Sequence, residues 1–196
     1  MAVFSRGFGA RRRESDPRLA PGQYLTTDFP VLSAGPTPRP DLEEWSFLLR
    51  TEKEERAWSW RELLALPAED VTTDIHCVTR WSKLDTSWRG VSVDTLFADV
   101  RTDRAFAMVH SYGGYTTNLP LEDLLGGKAW IAYEFDGRPL AAEHGGPARL
   151  LVPHLYFWKS AKWVQGIELR ERDDPGFWEQ NGYHLRGDPW REERYW

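Results

Sequence analysis

The chain is predicted to be an α+β protein built on mixed β-sheets with short helices, and three observations lead there. Short runs of apolar and β-branched residues, such as TDIHCVT and AFAMVHS, recur along it. The helical stretches between them are brief and closed by breakers, as in SWRELLALP. There is no regular alternation with long helices. The glycine pairs Gly113–Gly114, Gly126–Gly127 and Gly145–Gly146 do not form a dinucleotide fingerprint, so a doubly wound parallel sheet fits poorly.

Taken in order, residues 1–40 are rich in Arg, Pro and Gly and read as an extended arm that wraps the rest. WSFLLR is a strand. SWRELLALP is a short helix that Ser59 caps and Pro67 ends. TDIHCVT is a buried strand with Cys77 near its far end. SVDTLFADV is a second short helix with Ser92 as its cap. AFAMVHS is a strand, and YGGYTTN a glycine-containing turn. LPLEDLLGG, with proline near its start and glycines at its end, reads as a helix. AWIAYEF leads into the tight turn DGRPL, and ARLLVP and VQGIELR complete the strands. Residues 41–172 then form one domain, and residues 173–196, mixing charge, Trp and Pro, a C-terminal strap.

The bulk properties exclude several functions. A length of 196 residues suits one sizeable core, and a net charge of -5 gives no general attraction to nucleic acid. No apolar run is long enough for a membrane span. The single cysteine excludes an internal disulfide. Arg6, Arg11, Arg12 and Arg13 are followed by the polar ESDP instead of an apolar stretch, which favours a basic arm over an export signal and a cytoplasmic protein.

The chemistry centres on TDIHCVTRWS. Cys77 sits between His76 and Arg80, and a cationic setting favours the thiolate, the form that attacks and ligates metals. Three further patches join polar groups to turns: HSYGGYTTN, EHGGPARLLVP and YFWKSAKW. Singly, Lys159 and Lys162 read as solvated charges, His144 as a turn residue and Arg149 as a salt-bridge partner. Together with Cys77 they suggest a thiolate at one end and a cationic anion cradle at the other, which a phosphate-bearing metal cofactor would use together. The chain has no HExxH, no CxxC and no close histidine pair, so zinc is poorly supported. A Cys–His nucleophile pair with His110 or His144 leaves the Lys-Ser-x-Lys loop unexplained.

These patches, in this order, resemble the molybdopterin-binding domain of sulfite-oxidase-like oxidoreductases, in particular the bacterial branch with the methionine-sulfoxide reductase catalytic subunit. CVTRWS is similar to the cysteine motif, WRG at Trp88–Gly90 to its following tryptophan-x-glycine, EHGGPARLLVP to the family's glycine-proline-arginine stretch and KSAKW to its phosphate loop. Position 144 is histidine, as in the sulfite oxidases, where the reductase branch has asparagine. The resemblance implies a sulfite-oxidase-like molybdopterin-binding fold and a molybdenum-molybdopterin cofactor. Cys77 would supply the metal thiolate, and His144 and Arg149 would bind the pterin or its phosphate. Ser111 would be a cofactor contact, and Ser160, Ala161 and Lys162 the phosphate loop. His76 and Lys159 are counted with them, and Arg80 and Tyr112 are assigned to the wall facing substrate.

The implied activity is two-electron oxo transfer on a small molecule, anionic and sulfur-containing if Arg80 faces the cavity. With no haem or flavin motif, electrons would pass to or from a separate partner. The competing readings are a non-catalytic protein that binds an anion or pterin in a degenerate pocket, and a cysteine hydrolase.

Overall fold

In the computed structural model, residues 16–196 are described; Arg6 and Arg11–Arg13, on which the basic-arm expectation rests, lie outside them. In chain order the strands and helices are β1 (Tyr24–Leu25), β2 (Ser46–Arg50), β3 (Glu55–Ser59), α1 (Trp60–Ala65), β4 (Ala68–His76), β5 (Trp81–Ser92) and α2 (Val93–Leu96). Then come β6 (Phe106–Ser111), β7 (Thr116–Pro120), β8 (Trp130–Phe135), β9 (Arg138–Pro139), β10 (Arg149–Leu151), β11 (Val164–Arg170) and α3 (Phe177–Gln180). Single 3-10 turns occupy Leu121–Asp123, Ala142–His144 and Pro189–Arg191.

Two mixed sheets result. In the first, β5 pairs antiparallel with β4 and β8 and parallel with β1, while β8 carries β9 and β10. The second has the order β3-β2-β11-β6-β7, with only the β2–β11 pair parallel. Side chains alternate across a strand, so Phe47 and Leu49 of β2 share one buried face. They join Val109, Ile167, Val91 and Ile131 in a core that unites the two sheets. Residues on the other face of the first sheet, Ile75, Trp88, Ala132 and Leu151, build a second cluster with Cys77, Trp81, Phe157 and Trp158. This second cluster backs the site.

Several elements differ from the reading of the sequence. The stretch after CVTR is a twelve-residue strand, β5, and was hidden because Lys83, Asp85, Ser87 and Arg89 interrupt its apolar positions. It slips register between Arg89 and Gly90, where a side chain would meet the Ile131 carbonyl at 2.5 Å. The β-branched Thr116 and Thr117 begin a strand, β7, so the glycine turn is confined to the residues before it. Glu55–Ser59 is likewise a strand, β3.

The helix expected in LPLEDLLGG is only a 3-10 turn. The Asp94 carboxylate captures the N–H groups of Gly126 and Gly127, at 2.9 and 2.6 Å, and pulls the chain away from a helical path. By contrast α1 starts where expected: Ser59 and Glu62 exchange hydrogen bonds in a capping box. The C-terminal segment is more than a surface element, since Glu179 and Arg194 are both buried. Among the described residues no helix is long and apolar enough to cross a membrane.

Candidate cofactor site

Cys77 leads the turn that joins β4 to β5. Its N–H donates to the Trp81 carbonyl at 2.8 Å, its carbonyl accepts from Arg80 N–H at 3.0 Å, and Arg80 closes the turn with φ 78°. The thiol is nearly buried, and its Sγ accepts from the Thr79 hydroxyl at 3.1 Å.

The cations expected beside this sulfur, His76 and Arg80, do not provide its setting; the charges that act on it are those of Arg194 and Lys162. Burial pushes the Cys77 thiol up, and the Thr79 hydrogen bond opposes this only in part. The Arg80 side chain is exposed on the turn and does not line the cavity, which removes it from the substrate wall. His76 is buried and pushed down by that burial. Its Nδ1 is 2.7 Å from the Ser82 hydroxyl, so it braces the hairpin and does not line the cavity that Cys77 opens into. A coordinated metal ion would draw the proton from such a thiol.

Cys77 opens into a cavity of about 610 Å³. The same cavity is lined by Arg149, Ser160, Ala161 and Lys162, brought together by β10 and the loop before β11. Gly145, at φ 108°, allows the two chain segments to meet, because a side chain there would lie 2.9 Å from Lys162 Cβ.

Arg149 is fully buried and directs its guanidinium at backbone carbonyls: Nη1 to His144 at 2.8 Å, and Nη2 to Ser160 at 2.6 Å. The group stacks 4.0 Å over the Phe157 ring. Lys162 Nζ donates to the carbonyls of Leu32 and Glu143, at 2.8 and 2.6 Å. Among the described residues neither cation forms an ion pair with a carboxylate, and the Glu143 charge reaches Lys162 only from a longer distance. Burial pushes Arg149 down to about 9. Burial, then the charge of Arg149, pushes Lys162 down to about 8. Buried charges are normally paired, so a buried Arg149 and a half-buried Lys162 without ion pairs on one cavity are chemically suited to receive an anion.

The remaining expected residues divide. Ser111 and His144 do not line the cavity, but Ser111 Oγ and His144 Nδ1 are buried without a hydrogen-bond partner, and the His144 ring stacks on Phe29 at 3.9 Å. Tyr112 lines the cavity, yet its hydroxyl is committed to the backbone of Ser46, accepting from N–H at 2.9 Å and donating to the carbonyl at 3.2 Å.

Lys159 is the plainest correction. It is fully buried away from the cavity, paired with Glu179 at 2.6 Å and donating to the Asn118 carbonyl at 2.7 Å, so it holds no cofactor. His110 lies against Glu168 at 3.2 Å and is no partner for the sulfur. Sequence reasoning missed the aromatic wall of Phe29, Trp81, Trp158, Trp178 and Tyr183. The only hint of it was the count of eleven tryptophans.

A soft sulfur donor, two cations without ion pairs on the same cavity and an unpartnered Nε1 of the lining residue Trp81 fit a metal cofactor with an anionic tail. The family model described as oxidoreductase molybdopterin binding domain matches residues 34–178, and the chain belongs to that family. Molybdenum-molybdopterin is the cofactor of this class of domain, as the sequence led us to expect.

Among curated proteins, the chain is 42% identical over 189 residues to the uncharacterized oxidoreductase YuiH of Bacillus subtilis, covering 94% of this chain and 96% of that protein. It is 27% identical over 175 residues to the putative protein-methionine-sulfoxide reductase subunit YedZ1 of Azospira oryzae, covering 86% of this chain but 66% of that protein. The fold matches the sulfane dehydrogenase SoxCD from Paracoccus pantotrophus with TM-score 0.64 and 16% identity, over 74% of this chain and 42% of that one. The sulfite-oxidase-like α+β fold is thereby established.

Proposed function

We propose that the chain is a molybdenum-cofactor oxidoreductase performing two-electron oxo transfer on a small substrate, with electrons exchanged with a separate protein partner. One observation carries this reading: the single cysteine of the chain lines the same cavity as Arg149, which is buried, and Lys162, which is half-buried, and neither forms an ion pair among the described residues.

In this reading Cys77 ligates the metal through its thiolate. Arg149 and Lys162 hold the anionic tail of the cofactor, with Ser160 and Ala161 shaping the loop between them. Ser111 and His144, each with an unpartnered buried atom beside this wall, complete the pterin surroundings. When bound, the cofactor supplies two-electron redox chemistry and exchange of an oxygen atom. In the reducing direction the substrate gives up its oxygen as water, taking two electrons from the partner and two protons from solvent; the oxidising direction is the reverse.

The structure changes the expectation about substrate charge. Arg149 and Lys162 are the only cationic side chains lining the cavity among the described residues, and both are assigned to the cofactor. The rest of the wall is largely aromatic and apolar, closed by Phe29 and Pro38 from the arm and by Trp178 and Tyr183 from the strap. Such a wall suits a small substrate of low charge and excludes water from the reacting centre. We therefore favour a neutral oxygen donor or acceptor over an anion.

Metal and pterin analysis of protein purified from a molybdenum-replete host, followed by dye-linked turnover on a panel of sulfoxides, N-oxides and sulfite, tests the reading. We expect near-stoichiometric molybdenum, a fluorescent pterin on denaturation, and faster turnover of a neutral compound than of sulfite. Protein free of molybdenum and pterin would overturn the assignment; loaded protein inert with every dye and substrate would instead favour a non-catalytic binder.

A further inference from the structure

Both ends of the described chain converge on the turn that carries Cys77. From the N-terminal side, the Gln23 amide nitrogen lies 3.0 Å from the Cys77 carbonyl, 2.9 Å from the Trp81 carbonyl and 3.1 Å from the Ser82 hydroxyl. From the C-terminal side, Arg194 Nη1 donates to the Val78 carbonyl at 2.8 Å. Its Nη2 donates to the Pro21 carbonyl and to the Gln23 amide oxygen, both at 3.1 Å. Arg194 thus fixes which way the Gln23 amide points, and Gln23 in turn holds both residues that flank the hairpin turn.

The guanidinium is buried, sits 4.8 Å over the Tyr156 ring and has no carboxylate partner among the described residues. A buried charge directed only at carbonyl-type acceptors contributes little net stability, but its rigid fork fixes their geometry well. The backbone reinforces the grip: Tyr24 N–H donates to Arg80 at 2.8 Å and Thr26 N–H to Ser82 at 2.9 Å, as β1 pairs with the start of β5. Neither Gln23 nor Arg194 lies within residues 34–178, the span that matches the family domain.

We propose that Gln23 and Arg194 form a two-sided clamp that sets the position of the Cys77 sulfur, acting as positioning residues for the metal ligand. The proposal rests on the reading of Cys77 as that ligand. Its test therefore includes one measurement that does not depend on the metal. Gln23→Glu keeps the size of the side chain but cannot donate to the two carbonyls, and its carboxylate can still face Arg194. Arg194→Ala removes the other side.

In full-length protein prepared without cofactor, labelling of Cys77 by iodoacetamide is expected to accelerate at least ten-fold in either variant. In loaded protein the electron paramagnetic resonance signal of the Mo(V) state is expected to shift, with molybdenum content within two-fold of wild type. Should Arg194→Ala fail to fold, the near-isosteric Gln23→Glu carries the test alone. Faster labelling with an unaltered Mo(V) spectrum supports the clamp and overturns Cys77 as the ligand. Lower thermal stability with unchanged labelling and an unchanged spectrum reduces both residues to structural ones and overturns the clamp.

Discussion

Lys159 and Lys162 stand three residues apart on one loop and have opposite fates. Lys159 is closed in by Glu179 and Asn118, with no exposed surface and no contact with the cavity. Lys162 and its neighbour Arg149 reach the cavity with backbone carbonyls as their only hydrogen-bond acceptors. A buried cation that has found a carboxylate is part of the core. Arg149 and Lys162 lack an ion pair and line the cavity, which makes them the candidates to hold an anion, whereas Arg194, equally without an ion pair, does not line the cavity and holds backbone carbonyls. Lack of a carboxylate together with a place on the cavity wall is what distinguishes the candidate site from the scaffold.

Breaking the closed pair should produce the largest effect. Glu179→Gln leaves the Lys159 charge buried and unmatched, and should cost about 3–5 kcal/mol, seen as a melting temperature lower by roughly 10 °C. Pairing it with Lys159→Met should recover at least half of that loss, because no buried charge then remains. A mild effect of Glu179→Gln would break the comparison.

The open pair should behave differently. Arg149→Met is expected to lower cofactor content at least ten-fold. The melting temperature of cofactor-free protein should move by much less, since relief of the buried charge offsets the lost bonds to two carbonyls, about 1–2 kcal/mol at most. Lys162→Met should show the same pattern with a smaller loss of cofactor, as Lys162 is only half-buried. Elemental and pterin analysis beside thermal melts checks both.

A third ion cluster sharpens the picture through pH. Burial alone would raise Asp123, but hydrogen bonds from His154 and Arg186, at 3.1 and 3.0 Å, outweigh it and hold the carboxyl down at about 2. Its folded value thus lies below the unfolded one of about 3.9. The stability it contributes is complete above the unfolded value and disappears as pH falls through the folded one. Thermal melts should therefore lose this contribution between roughly pH 4 and pH 2, and Asp123→Asn should flatten that part of the profile. The smallest effect is reserved for the helix cap remote from the site: Ser59→Ala should cost about 1 kcal/mol and leave cofactor content unchanged.

Much of the site was legible because it consists of polar residues placed in otherwise apolar or glycine-rich turns. Cys77 at a strand end, Arg149 after a glycine turn and the Ser160–Lys162 loop stood out on that ground, and they line one cavity. What could not be read depended on partners far away in sequence. Nothing near Lys159 announces Glu179, which lies in the C-terminal segment, and nothing in CVTRWS shows that Arg80 turns to solvent while burial raises the thiol.

The fold class followed from β-branched runs and short capped helices, as at α1. Strand β5 escaped notice because alternate polar residues disguise it. The LPLEDLLGG helix failed because capture by Asp94 outweighed local propensity. The aromatic wall draws on both ends of the chain, a convergence that no local pattern encodes.

The proposed ligation of molybdenum by Cys77 is tested directly by X-ray absorption at the molybdenum edge, comparing wild type with Cys77→Ser. We expect the variant to keep its pterin, held by Arg149 and Lys162, and to show one sulfur neighbour fewer at the metal. An equal number of sulfur neighbours in the two proteins would contradict thiolate ligation and leave the two cations guarding a site whose metal the polypeptide does not touch through sulfur.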